Sequence, residues 1–301
     1  MNEELGGIEY TSPTTGKKEK VKIETIWEDN GFSIPKAISI YQRQKAWGMM
    51  FMLGSTGSQM GALIKYNVRD KIPCIISACN ADVAVYEQEP ANAYQLAMCD
   101  GGPEICTAPA GMTKDFLWKE ARPCNYGQIF YDSPTRRGYL AGGAIERYIG
   151  KLGMNYIGTE YVPFIAVDTT VQLKRLMDQG ADVISVDASP PTTKTILDDA
   201  RRLGMMEKTT FIICYASETS IAKAPESHEG CYTTHALNSW EEDVPGVRLA
   251  KDLIQRYRPE SAPYKDIGWG YLVALMQAML VVDSLEKTPN EVGYENLTGQ
   301  A

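Results

Sequence analysis

The 301-residue chain carries a net charge of -8, with 44% hydrophobic and 23% charged residues. This is an ordinary globular composition, long enough for one large domain or two smaller ones. It offers no basic face for nucleic acid and no apolar run near the ~20 residues that span a bilayer.

In chain order, residues 1–8 read as the end of a helix stopped at Gly6-Gly7. A strand is predicted at 21–27, and a helix opened by Ser33-Ile34-Pro35 runs to about Lys45. The rest of the chain is organised around residues 46–82. An apolar run from Trp47 to Leu53 ends in Gly54-Ser55-Thr56-Gly57-Ser58. An amphipathic helix carries Met60, Leu63, Ile64 and Val68. A second apolar run, Ile72 to Ile76, ends in Ser77-Ala78-Cys79-Asn80-Ala81. Strands apolar on both faces suit a parallel sheet covered by helices. Residues 83–112 are the least regular, with a short strand at 94–98. A helix is expected at 113–120 and a break at Arg122-Pro123-Cys124-Asn125.

Alternation then resumes. Strands are expected at 126–131, 156–162, 183–186, 210–214 and 230–237. Helices are expected at 137–152, after the cap Asp168-Thr169-Thr170 to near Gly180, and at 192–203, 244–257 and 267–286. Repeated βαβ units predict an α/β chain with mainly parallel sheets in two lobes.

Ligands of open parallel sheets bind outside the carboxyl ends of the strands. In the first lobe those ends carry hydroxyls and turn amides, which suit a carboxylate. In the second they carry Asp132, Thr135, Asp187, Ser189, Tyr215, Ser217 and Glu218. Carboxylates there suit an ammonium, so the combination fits a zwitterion. Any single strand-end residue also has a structural reading as a turn or cap.

Seven cysteines and two histidines, His228 and His235, bound the remaining chemistry. Cys74 and Cys214 sit in apolar runs as small hydrophobes. Cys99 and Cys106 flank a turn-rich loop that could join them in a disulfide. The sequence has no Cys-x-x-Cys, so no zinc site or other cofactor is expected. Cys79 could serve as a nucleophile with a histidine base. The loop at Gly54 lacks both the Gly-Lys-Ser/Thr and the Gly-x-Gly-x-x-Gly phosphate fingerprints.

Several stretches occur in an order that resembles one known family. They are Asn2 to Ile8, Glu28 to Ala37, Gly54 to Ser58, Ile72 to Ser77, Gly180-Ala181-Asp182-Val183-Ile184 and Ala200-Arg201-Arg202-Leu203-Gly204. The chain is similar in these to type I periplasmic solute-binding proteins of ABC transporters, of the leucine/isoleucine/valine-binding group. The resemblance implies two Rossmann-like lobes joined by a hinge, divided as 1–123, 124–234 and a return at 235–301 to the first lobe. It also implies a chain lacking the family's opening strand and helix, with any signal sequence, and its closing strands. The implied function is extracytoplasmic, non-enzymatic capture of an amino acid, amide or small carboxylate between the lobes. Delivery would be to an ABC transporter permease, and contact with the membrane would come only through that permease or a lost anchor. A ligand sensor on the same fold is the alternative, and a small enzyme using Cys79 a third.

Carried over by position, the implied ligand contacts are Ser55, Thr56, Ser58, Ser77, Cys79 and Ala81 in the first lobe. In the second they are Asp132, Thr135, Asp187, Ser189, Tyr215 and Glu218. The chain departs from the family in several places: the acidic residue that pairs with a ligand ammonium is shifted or absent, with Glu218 and Asp187 as the candidates, and residues 83–112 differ in detail. Ala81 stands where a threonine is often found, and Pro134-Thr135-Arg136 replaces the usual tyrosine.

Overall fold

The computed structural model describes residues 2–78, 95–97, 103–214, 218–235, 237–261 and 270–288. The chain forms two compact units, one of residues 1–99 with 273–301, the other of residues 100–272.

The first unit opens with an antiparallel hairpin, β1 (Ile8–Thr11) and β2 (Lys18–Val21). Residues 2–5 are a turn rather than a helix end. Asn2 holds it, exchanging hydrogen bonds with the Ile23 backbone at 2.7 and 3.0 Å. The expected strand 21–27 is absent, because β1 begins at Ile8, opposite Val21, and offers nothing beyond it to pair with.

Helix α1 (Ile34–Trp47) starts at the Ser33 cap with Pro35 in its first turn, as expected, and buries Ala37, Ile40, Tyr41 and Gln44. It stops only at Gly48, whose φ of 108° closes the helix. Trp47 is therefore helical, and β3 is confined to Met52–Thr56. The small residues Gly54-Ser55-Thr56 lie in the strand, not in a turn after it. Helix α2 (Gly57–Asp70) comes at once, then β4 (Cys74–Ala78) and β5 (Gln95–Ala97). These strands form a parallel sheet in the order β3-β4-β5. Met60 and Leu63 of α2 pack with Tyr41, Ile72, Cys74 and Ile76 beneath it. At the end of α2, Asp70 meets Tyr41 Oη (3.2 Å), Lys45 Nζ (2.6 Å) and Arg69 Nη2 (2.7 Å). Arg69 first, and then Lys45 and Tyr41, hold its carboxyl far below the usual carboxylate range against the opposing effect of burial.

The second unit begins with one helical run, α3 (Pro103–Thr107, Ala108–Met112, Thr113–Leu117). Sequence reading placed 100–123 in the first lobe. Instead Ile105, Cys106 and Ala110 pack with Cys124, Tyr126 and Phe130, and Cys214 Sγ lies 3.7 Å from Ile105 O. The two compact units change over at 99/100 and 272/273. The polar break at Arg122 is a loop within the unit.

Next come β6 (Asn125–Tyr131), α4 (Pro134–Tyr139), α5 (Ala144–Lys151) and β7 (Asn155–Val162). The single helix expected over 137–152 is two, broken at Gly142-Gly143. After these stand α6 (Thr170–Asp178), β8 (Val183–Asp187), α7 (Pro190–Arg202) and β9 (Thr210–Cys214). The unit closes with α8 (Glu218–Lys223), α9 (Pro225–His228), β10 (Tyr232–Thr234) and α10 (Pro245–Tyr257). The sheet is parallel in the order β10-β9-β8-β6-β7. Its central strands β6, β8 and β9 are buried, with apolar side chains packed in two core clusters, while the edge strands β7 and β10 are more exposed and more polar. Helix α11 (Gly270–Lys287) returns the chain, from Val273 on, to the first unit.

Asp182 ties the amino ends of β6 and β8. Its carboxylate takes both arms of Arg122 at 2.7 Å and the Asn125 N–H at 2.8 Å. Burial pushes its pKa up, but these donors outweigh burial and the net shift is downward. A depressed carboxyl stabilises the fold above its unfolded pKa of about 3.9, and that stability is lost as pH falls through the folded value. Asp182→Asn is therefore expected to flatten the acid limb of stability below about pH 4. Urea midpoints at pH 3 and pH 7 test this, and an unchanged difference between them would refute it.

Candidate ligand site

In the first unit, register places the predicted residues side by side. Leu53 pairs with Ile75, Gly54 with Ile76 and Thr56 with Ala78, so Ser55 and Ser77 occupy neighbouring strand ends. Ser58 is in the first turn of α2, whose opening N–H groups have no partner within the helix. The side chains of Ser55, Thr56 and Ser58 lie outside those described, and so do Cys79 and Ala81 altogether.

Two features fix this backbone. A Cβ on Gly54 would come 2.3 Å from Met60 Sδ and 3.0 Å from Ile76 Cγ2, so a larger residue there would have to displace the buried Met60 side chain of α2. From α11, the buried Gln277 donates through Nε2 to Gly54 O at 2.8 Å and Ile75 O at 2.9 Å. Gln277 was not among the expected site residues. A lone glutamine in an apolar helix was its only signal.

In the second unit, the carboxyl ends of β6 and β8 are neighbours. Asp132 follows the end of β6, Asp187 ends β8, and Ser189 stands at the start of α7. Each is already engaged. Asp132 forms a two-armed pair with Arg137, at 2.7 and 2.9 Å. That guanidinium holds the Asp132 carboxyl below the usual range and lies 4.2 Å over the Tyr161 ring. Asp187 is 4% exposed and accepts from Arg136 Nε at 2.5 Å. Ser189 donates through Oγ to Phe164 O, an acceptor shared with Thr192 Oγ1 at 2.9 Å. Ser133 caps α4, accepting from Arg136 N at 3.2 Å.

Thr135 and Glu218 fall in α4 and α8, but their side chains are outside those described, and Tyr215 is outside the described residues. Asp187, one of the two acidic candidates for a ligand ammonium, is thus paired with Arg136, and the side chain of the other, Glu218, is outside those described.

Sequence reading missed the aromatic and cationic parts. Tyr131 meets Phe164 edge-on at 5.4 Å and 84°, and the Arg136 guanidinium lies 4.6 Å over Tyr131. Burial pushes the Tyr131 hydroxyl's pKa up, with Arg136 opposing. The available signal was Arg136-Arg137 just after the Ser133-Pro134 helix start, four residues past the strand-end Asp132.

Elsewhere the candidate chemistry thins out. His228 is buried with Nδ1 2.8 Å from Ala224 O, and Cys79, its suggested partner, is outside the described residues. So is Cys99, while Cys106 is buried in the core. Among the described residues no group of three or more His, Cys, Asp or Glu could hold a metal ion, and no helix is long and apolar enough to cross a membrane.

The sequence model of the periplasmic binding protein family matches residues 8–297. Among curated proteins no sequence match is found. Solved structures share the fold at low identity. A branched chain amino acid ABC transporter protein from Thermus thermophilus, with bound valine, superposes with a TM-score of 0.75 at 19% identity, over 92% of this chain and 72% of that one. A solute binding protein of an ABC transporter from R. palustris, in complex with 4-hydroxybenzoate, gives 0.70 at 16%, over 92% and 72%. A fatty acid ABC transporter substrate-binding protein from Thermomonospora curvata gives 0.69 at 20%, over 88% and 65%.

Proposed function

Because this chain belongs to the periplasmic binding protein family, we propose that it captures a small solute and delivers it to the permease of an ABC transporter, outside the cytoplasm. The observation that carries this reading is the family match across nearly the whole chain. The strand ends support it. Two parallel sheets each place polar side chains or backbone at their carboxyl ends, where open α/β sheets take their ligands. Relatives of the same fold bind valine, 4-hydroxybenzoate or fatty acid, which sets the range of solutes to try.

The test is a melting series on the full chain with amino acids, amides, benzoates, fatty acids and short dicarboxylates. A solute at 100 times its Kd stabilises the folded protein by about 2.7 kcal/mol, which moves Tm by several degrees. A shift selective for one class is the expected result. No shift with any of them would overturn the reading.

A further inference from the structure

We propose that Phe32 in the first unit and Phe164 in the second are solute-contacting rings, and that they select a solute with an aromatic or aliphatic body over a small polar one. This deepens the solute-binding reading and rests on it.

Each ring stands beside the carboxyl strand ends of its own sheet, where open parallel sheets take their ligands. Each is held there through backbone hydrogen bonds. In the first unit the buried Gln59, in the first turn of α2 directly after β3, donates through Nε2 to Phe32 O at 2.6 Å. The Phe32 N–H donates to Asn30 Oδ1 at 2.9 Å, and the Gly31 N–H to Asp29 Oδ1 at 2.8 Å. This clamp keeps Phe32 at a φ of 57°, which suits glycine and strains a bulky residue. Folding alone gives no reason for a phenylalanine in such a turn, since its ring is 60% exposed. Backbone strain of this kind gathers where a side chain is positioned for function.

In the second unit Phe164 lies two residues beyond β7. Its carbonyl accepts from Ser189 Oγ, and from Thr192 Oγ1 at 2.9 Å. Thr192 Oγ1 also accepts the Ala166 N–H at 2.9 Å, and Thr195 Oγ1 donates to Ala166 O at 3.1 Å. These bonds anchor the loop by its backbone and leave the ring 42% exposed, edge-on to Tyr131 at the end of β6. The acids described at these strand ends already hold arginine partners, Asp187 with Arg136 and Asp132 with Arg137, so the pairs bring no net charge to a solute. The Phe164 ring brings apolar surface. A ring fixed in advance takes up a flat or apolar body with little ordering cost.

The test is calorimetric titration of the full chain with two sets of probes. The first set is 4-hydroxybenzoate, octanoate and L-leucine; the second is succinate, L-glutamate and acetamide. The native sequence, Phe32→Gly, Phe164→Ala and Val167→Ser are compared below their melting points, with Tm recorded for each. At least one probe of the first set is expected to bind about tenfold or more tightly than any of the second. Phe32→Gly and Phe164→Ala are each expected to weaken that probe by about tenfold. Phe32→Gly is expected to do so with Tm held or raised, because it removes the strain. Val167 is 94% exposed on the Phe164 loop, and Val167→Ser is expected to bind as the native chain does. Native affinity in either phenylalanine variant would overturn the proposal, as would a probe of the second set binding best; both would leave solute capture intact. An equal loss in Val167→Ser would also overturn it, because the loop and not the ring would then be at work. No binding by any probe would instead overturn the solute-binding reading itself.

Discussion

Phe130→Ala is expected to cost about 3–5 kcal/mol of folding stability, the usual loss for a phenylalanine removed from a close-packed core. The Phe130 ring is fully buried in the cluster formed by Tyr126, Ile145, Ile149, Val183, Ile212 and the α3 residues Ile105, Cys106 and Ala110. It binds the helical run before β6 to the sheet beyond it, so a cavity here loosens both. Phe130 also lies opposite Asp187 in the β6–β8 register and directly precedes Tyr131. Slack at this point is therefore expected to reach the Tyr131–Arg136–Asp187 group and to weaken solute binding. Urea unfolding followed by circular dichroism measures the first effect. A loss below about 1 kcal/mol would show that α3 does not seal this face of the sheet. With two units in the chain, the transition should be checked with two probes before a single free energy is assigned.

Gln277→Leu is expected to cost about 2–4 kcal/mol in the first unit. The replacement is similar in size and apolar, so packing changes little. What is lost is the donor to Gly54 O and Ile75 O. Each buried carbonyl deprived of its donor costs about 1–3 kcal/mol. Those carbonyls directly precede Ser55 and sit two residues before Ser77, so the variant should also loosen the predicted solute-binding strand ends. Gln277→Glu adds a check. Ionised, it has no donor and brings an unpaired charge, so it should do at least as much harm at neutral pH and recover partly in acid, where its carboxyl can donate again. If Gln277→Leu melts where the native chain does, the two bonds do not hold the strands.

Sequence patterning reached most of the architecture. The parallel α/β class came from doubly apolar strands, and β6, β7, β9 and α10 fall within a residue or two of their predicted spans. Where it failed, a local signal was outweighed. Trp47 belongs to a helix because the αL cap comes one residue later, at Gly48. The apolar stretch at Ile26-Trp27 makes no strand because no partner extends that far, and Trp27 is left 87% exposed. Arg122-Pro123 looked like a boundary, yet Arg122 is clamped to Asp182, sixty residues on.

Short-range signals in the chain sufficed for the class of fold, the family and the placing of small polar residues at strand ends. Those depend on periodicities of two and 3.6 and on caps, all of which act over a few neighbouring residues. Which of those residues already hold a charged partner is visible only in the packed chain. Whether Asp187 is a free carboxylate or one half of an ion pair depends on Arg136, fifty-one positions away and brought beside it by the β6–β8 pairing. The support of Gly54 by Gln277 spans more than two hundred positions. Charge pairing and burial are properties of distance in space, and at such separations the order of residues in the chain does not encode them locally.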